Sequence, residues 1–217
     1  VGKTRLALEG PRAWQARSAS PVCVLELSAS TPGGPMAEVL ARALGVTLPG
    51  HRDSLAELAD LLRHRSVLLL VDNCEHRLDE VASLVETLMR QTELVRVLAT
   101  SRAPLRTPGE HVYRLEPLGL PADTADAPTA LRAGAVSLFC ARLAAARHDF
   151  GLDDSNVADV VAICRSLEGL PLALELAAAR VPLVGLQALR ARLAGADEAR
   201  LAILKGGSRS TMARHQT

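Results

Sequence analysis

Val67-Leu68-Leu69-Leu70-Val71-Asp72 sets five consecutive aliphatic residues ahead of an aspartate. A strand with one wet face alternates apolar and polar side chains. An unbroken aliphatic run fits a central parallel strand covered on both faces. Upstream, Pro21 precedes Val22-Cys23-Val24-Leu25-Glu26-Leu27, a second short run of strand type. Residues 36–44 read as a helix that stops at Gly45. Residues 54–63 read as another, with Ser54 as N-cap and Glu57 as its capping-box partner. Downstream, residues 78–92 put Leu78, Val81, Leu84, Val85 and Leu88 on one helical face. Residues 95–100 form the next strand and residues 112–115 a further one. Strands alternating with helices predict a parallel α/β sheet.

The pattern changes after about Leu120. Residues 121–129 are rich in Pro, Asp, Ala and Thr and read as a linker. Beyond it, residues 130–146, 155–167, 171–181 and 186–193 read as helices, with no strand pattern among them. A small all-helical part following the α/β part is the simplest account. At the other end, residues 4 to about 19 favour helix, although Pro11 inside it is expected to shorten or kink it.

Composition narrows the function classes. The 217 residues are 48% hydrophobic, enough for one sizeable core or one domain with a smaller lid. Lys and Arg number 25 against 24 Asp and Glu, a net charge of +1, which argues against a strongly basic nucleic-acid surface on this segment. Aromatic residues are 2% of the chain, too few for base-stacking platforms. Cys23, Cys74, Cys140 and Cys164 form no C-x-x-C pair and no zinc-type spacing with His, so buried free thiols in a reducing compartment are expected. No apolar run approaches the roughly 20 residues of a membrane span. Both ends read as cuts in a longer protein.

The chemistry begins at Val1-Gly2-Lys3-Thr4. Gly2, Lys3 and Thr4 match the last three positions of G-x-x-x-x-G-K-[ST]. In that loop glycines let backbone N–H groups close around phosphate oxygens, Lys reaches the β- and γ-phosphates, and the hydroxyl binds Mg2+. The helix that follows aims its positive dipole end at the anion. The chain holds only two lysines, Lys3 and Lys205, with 15 glycines and 24 Ser and Thr residues. Independent placement would give G-K-[ST] roughly 0.015 times.

An apolar strand ending in Asp72 places a carboxylate where Mg2+ would sit. Asn73 stands directly after it, where many phosphate-loop ATPases carry a Glu that orients the attacking water. The nearest acid is Glu75, which either polarises water as a general base or offsets the dipole of the helix at Leu78. His76 reads as structural before catalytic. Arg102, after Leu98-Ala99-Thr100-Ser101, either reports a γ-phosphate or simply faces solvent at a strand exit. Gly169-Leu170-Pro171-Leu172 opens a helix with a Pro in its first turn, which needs no special function, although a rigid apolar Pro there can also pack on an adenine ring.

Taken in this order, these residues resemble the STAND class of signal-transduction P-loop ATPases, closest to the NB-ARC-like domains of bacterial LuxR- and AfsR/SARP-type transcriptional regulators. The resemblance also rests on Leu174-Glu175-Leu176-Ala177-Ala178-Ala179-Arg180 and Gly206-Gly207-Ser208-Arg209, and spans nearly the whole chain. It implies a parallel-sheet P-loop NTPase domain at 1–120, a linker at 121–129, a helical lid at 130–195, and the start of a winged-helix subdomain at 196–217. It implies that Gly2, Lys3 and Thr4 hold phosphates, that Thr4 and Asp72 hold Mg2+, that Arg102 acts as sensor, and that Pro171 contacts adenine. Glu75 and Arg102 are the catalytic candidates. ATP and ADP are the implied ligands, with weak hydrolysis of ATP to ADP and phosphate in the full-length protein. DNA is a partner only through domains outside this chain. The resemblance allows a homo-oligomer in the activated state, and the setting is cytoplasmic with no membrane. Two alternatives stay open. One is a working ATPase or phosphotransferase with Glu75 as an effective base; the other is a nucleotide-free interaction scaffold.

Overall fold

The computed structural model describes residues 2–18, 20–27, 34–50 and 53–195. The chain divides into two compact units, one formed by Gly2–Arg114 and one from Leu115 onward.

The first unit is built on three parallel strands, β1 (Val22–Glu26), β2 (Val67–Asp72) and β3 (Val95–Ala99), in the order β1-β2-β3. Val24, Leu70 and Leu98 share one register line across the sheet, and Glu26 lies opposite Asp72. All six residues of β2 are buried, which is why its sequence shows no alternation. Each fully buried aliphatic side chain there contributes about 1.5–3 kcal/mol relative to exposure. Val67, Leu69 and Val71 join a core with residues of α2 (Met36–Ala43), α3 (Ser54–Leu62) and α4 (Leu78–Gln91). Leu40, Leu58, Leu62, Leu84 and Leu88 are the fully buried anchors of those helices. The alternate residues of β2 face the opposite way, toward α1 (Lys3–Gln15). A Cβ added at Gly10 of that helix would lie 3.6 Å from Leu98 Cδ2.

Three local expectations are corrected in this unit. Residues 112–115 form no strand, and Val112 and Tyr113 are 58% and 82% exposed. The chain leaving β3 is instead held in a loop by Glu110, whose carboxylate accepts from Leu105 N (2.9 Å) and Arg106 N (2.7 Å), with Arg106 at φ 60. No neighbouring strand offers Val112 a ladder among the described residues. The N-cap of α3 is Asp53, not Ser54. Its Oδ1 accepts from Leu55 N at 3.1 Å, and Ser54 becomes the first helical residue. Glu57 is accordingly not a capping-box partner; its Oε2 accepts from Gly50 N at 2.9 Å and closes the loop before the helix. Pro11 sits buried inside α1, which continues to Gln15. Ala19, the expected helix end, lies outside the described residues, and Ala16 and Arg17 already form a turn.

The second unit is helical: α5 (Ala127–Leu131), α6 (Gly134–Ala146), α7 (Val157–Ser166), α8 (Pro171–Ala178), α9 (Val181–Val184) and α10 (Leu186–Leu193). Phe139, Leu143, Ile163 and Leu174 are its largest fully buried side chains, joined by Val160, Leu189 and Leu193. The expected linker at 121–129 already contains helix from Ala127, because Asp126 caps α5 by accepting from Thr129 N at 3.0 Å. The helix expected over 130–146 is split by Ala133, whose ψ of 130 is extended. The helix expected over 171–181 ends at Ala178, and Val181 starts a separate short helix with Pro182, which brings no N–H to continue the first, in its opening turn. The helix expected to start at Ser155 starts at Val157.

Gly169 has a specific reason to be glycine. Its φ is +64, and a Cβ there would lie 2.3 Å from Leu118 O. The close approach lets Leu118 N donate to Gly169 O at 3.0 Å, so the segment entering the helical unit is fastened to the turn between α7 and α8. Arg165 strengthens the same junction through Pro121 O and the Asp123 carboxylate. The expected continuation at 196–217, including Gly206 to Arg209, lies outside the described residues.

Candidate functional site

Gly2 adopts φ +78, in the left-handed region that favours glycine, and α1 begins at the next residue. The first intrahelical bond recorded is Leu6 N to Gly2 O at 3.0 Å. The N–H groups of Lys3, Thr4 and Arg5 therefore precede the ladder and carry the positive end of the helix dipole. No acid stands in this first turn to neutralise it.

Thr4 is carried by that turn to the carboxyl end of β2, where its Oγ1 donates to Asp72 Oδ1 at 3.0 Å. Asp72 is 3% exposed. A second hydroxyl, Thr100 Oγ1, donates to the same Oδ1. The other oxygen, Oδ2, is buried and has no hydrogen-bond partner among the described residues. A buried carboxylate oxygen left alone costs several times what a typical hydrogen bond contributes, so it marks a place where a ligand, ion or water belongs.

The turn after Asp72 shapes the rest. Asn73 lies in the left-handed region at φ 61, ψ 42, and a short 3-10 turn follows over Cys74–His76. This conformation directs Asn73 N to Thr100 Oγ1 (3.1 Å) and Cys74 N to Thr100 O (2.9 Å). Glu75 projects from the turn with its side chain 18% exposed. Its Oε1 pairs with Arg102 Nε at 3.0 Å, while Oε2 is buried without a hydrogen-bond partner among the described residues. Arg102 is 80% exposed on its side chain. Its surface position makes this ion pair weak.

Cys74 is no nucleophile. Burial, together with the Glu75 and Asp72 carboxylates, pushes its thiol up to about 12, and Sγ donates to Val71 O at 3.3 Å. All four cysteines are free and buried, as the sequence suggests. His76 ends the turn on the exposed side. Arg77 completes the region by bridging Gly34 O and the Glu80 carboxylate, which joins the loop after β1 to the start of α4.

Gly2, Lys3, Thr4, Asp72, Glu75 and Arg102 thus all lie at the carboxyl ends of the strands or in the first turn of α1, within one unit. Pro171 belongs to the helical unit, in the first turn of α8, where Leu174 N bonds to Leu170 O at 3.0 Å. Sequence reasoning missed Thr100. The signal lies in the register: Val71 pairs with Ala99, the last residue of β3, so the residue after the strand falls beside Asp72.

A metal can be tested against this geometry. No group of three or more His, Cys, Asp or Glu forms a metal cluster among the described residues. Mg2+ shared with phosphates does not need one, because it takes one or two protein oxygens and fills its octahedron with phosphate oxygens and waters. The Thr4 hydroxyl and the unpartnered Asp72 Oδ2 fit that requirement. A surface cavity of about 530 Å3 between α2 and α3 is lined by none of these residues.

No family model matches the chain. It is 34% identical over 217 residues to "Putative HTH-type transcriptional regulator Rv0890c" of Mycobacterium tuberculosis (strain ATCC 25618 / H37Rv), an alignment covering 100% of this chain and 23% of that protein. The corresponding protein of Mycobacterium bovis, "Putative HTH-type transcriptional regulator Mb0914c", matches to the same extent. "Uncharacterized protein Rv0894" of Mycobacterium tuberculosis is 34% identical over 141 residues, 65% of this chain and 33% of the relative. The chain spans 23% of the length of the regulators it matches. Along its whole length it is homologous to one segment of proteins described as HTH-type transcriptional regulators.

Proposed function

We propose that this chain is the ATP- and ADP-binding switch segment of a transcriptional regulator of the STAND, NB-ARC-like type. The observation that carries the reading is Asp72: a buried carboxylate with one oxygen accepting from two hydroxyls and the other without a partner among the described residues. One of those hydroxyls, on Thr4, comes from the first turn of a helix that opens on Gly2-Lys3.

The roles follow from the atoms. The N–H groups of Lys3, Thr4 and Arg5, ahead of the helical ladder, and the Lys3 ammonium face phosphate oxygens. Thr4 and Asp72 hold Mg2+, which when bound neutralises phosphate charge. Glu75 accepts a proton from water through Oε2. Arg102 answers to the γ-phosphate by leaving Glu75. Because Asn73 occupies the position beside Asp72 and Glu75 is engaged by Arg102, turnover is slow and the bound nucleotide defines a state more than a reaction. DNA recognition belongs to other parts of the whole regulator.

Calorimetry of the full-length protein with ATP and ADP, with and without Mg2+, tests the reading. Micromolar or tighter binding that strengthens with Mg2+ is expected, with steady-state hydrolysis well under 1 per second, the slow end of enzyme turnover. Rapid turnover abolished by Glu75→Gln would favour a working ATPase instead. No nucleotide binding would favour a scaffold.

A further inference from the structure

Thr100 uses every polar atom it has on four consecutive residues. Its N donates to Val71 O at 2.9 Å and its carbonyl accepts from Cys74 N at 2.9 Å. Its Oγ1 accepts from Asn73 N at 3.1 Å and donates to Asp72 Oδ1. The residue is 7% exposed. A hydroxyl has a single proton, and the Asn73 N–H takes up an acceptor direction, so the proton is steered to Asp72. The left-handed backbone of Asn73 makes this possible by turning two successive N–H groups toward one residue.

We infer that Thr100 is a positioning residue for the cation at Asp72. This rests on the nucleotide-binding reading above. Two hydroxyls converge on Oδ1, and they differ in origin. Thr4 stands on α1 and its oxygen is itself a Mg2+ ligand in that reading. Thr100 touches neither cation nor nucleotide. Its hydroxyl fixes the carboxylate plane, so that Oδ1 points to the two donors and Oδ2 is the oxygen left to present. Arg102, two positions on, pairs with Glu75. Without the Thr100 hydroxyl Asp72 keeps its charge but loses its orientation, and the Asn73 N–H loses its acceptor.

The test is the gain in ADP affinity on adding Mg2+, the ratio of Kd in EDTA to Kd in Mg2+, measured on the full-length protein. Thr100→Val keeps the shape and removes the hydroxyl. It is expected to cut the Mg2+ gain by about tenfold, the scale of one hydrogen bond to a charged group, while affinity in EDTA stays within about twofold. Thr100→Ser, which keeps the hydroxyl, is expected to retain the gain. If Thr100→Val does not fold, Thr100→Ala is measured in its place. An undiminished Mg2+ gain without the hydroxyl overturns the inference. So does equal weakening with and without Mg2+, which would be a purely structural role, and so does failure of Thr100→Ser to restore the gain. If the unmodified protein binds no nucleotide, the proposed function fails and this inference falls with it. Binding with a clear Mg2+ gain that ignores Thr100 overturns only the inference.

Discussion

The two units of the chain bury polar atoms in opposite ways. In the α/β unit Asp72, Thr100 and Glu57 are buried, and oxygens of Asp72 and Glu75 without a hydrogen-bond partner among the described residues sit at one end of the sheet. In the helical unit no polar or charged residue is buried among the described residues. Its ion pairs, such as Arg142–Glu175 and Arg147–Asp149, lie on the surface. A core that keeps only hydrocarbon and thiols is organised for stability. A core that tolerates lone carboxylate oxygens gives up stability at a place where something else is meant to bind. The proposed function puts its binding residues in Gly2–Arg114, and substitutions should separate accordingly.

Phe139→Ala should give the largest effect. Phe139 is fully buried in the helical core, and its loss should cost about 3–5 kcal/mol in denaturant unfolding. The Mg2+ gain in nucleotide affinity of whatever protein remains folded should be unchanged; a changed gain would break the separation. Gly169→Ala comes next. The left-handed backbone alone costs about 1–3 kcal/mol for a non-glycine residue, and the added Cβ meets Leu118 O at 2.3 Å. Thermal unfolding should fall more than for Gly151→Ala, where a Cβ meets open space. Asp72→Asn should reverse the pattern, with a stability change smaller than Phe139→Ala and a Mg2+-dependent loss of nucleotide affinity of about 10–100-fold, the range seen when metal-site partners are removed. Equal affinity with and without Mg2+ in the unmodified protein would contradict it. Arg142→Ala should be the smallest. Its pair with Glu175 is half exposed and worth at most about 1 kcal/mol, read as a small shift in the unfolding midpoint.

What the sequence revealed follows the range of the forces involved. The β2 run and Asp72 were legible because burial on both faces writes itself as an unbroken aliphatic stretch. The helix of residues 78–91 was legible for the same reason at a period of 3.6. The α3 N-cap was missed because Asp53 and Ser54 are adjacent and equally able to cap; only backbone geometry decides between them. The strand expected at 112–115 failed because Val112-Tyr113-Arg114-Leu115 says nothing about whether a neighbouring strand is available. At the candidate site, Asp72 was visible as a strand end. Thr100 was not, since its importance comes from being opposite Asp72 in the β2–β3 register. The Glu75–Arg102 pair likewise joins residues from two separate strand exits.

Asn73 carries a consequence for how this site can vary. Its φ of 61 and ψ of 42 belong to a region that glycine, asparagine and aspartate enter readily and β-branched residues avoid. Substitution at 73 is therefore filtered by backbone shape before charge is ever consulted. In a saturation library scored for folding, glycine and aspartate should survive beside asparagine, while valine, isoleucine and threonine drop out together. A glutamate inserted beside Asp72 would pass that filter poorly.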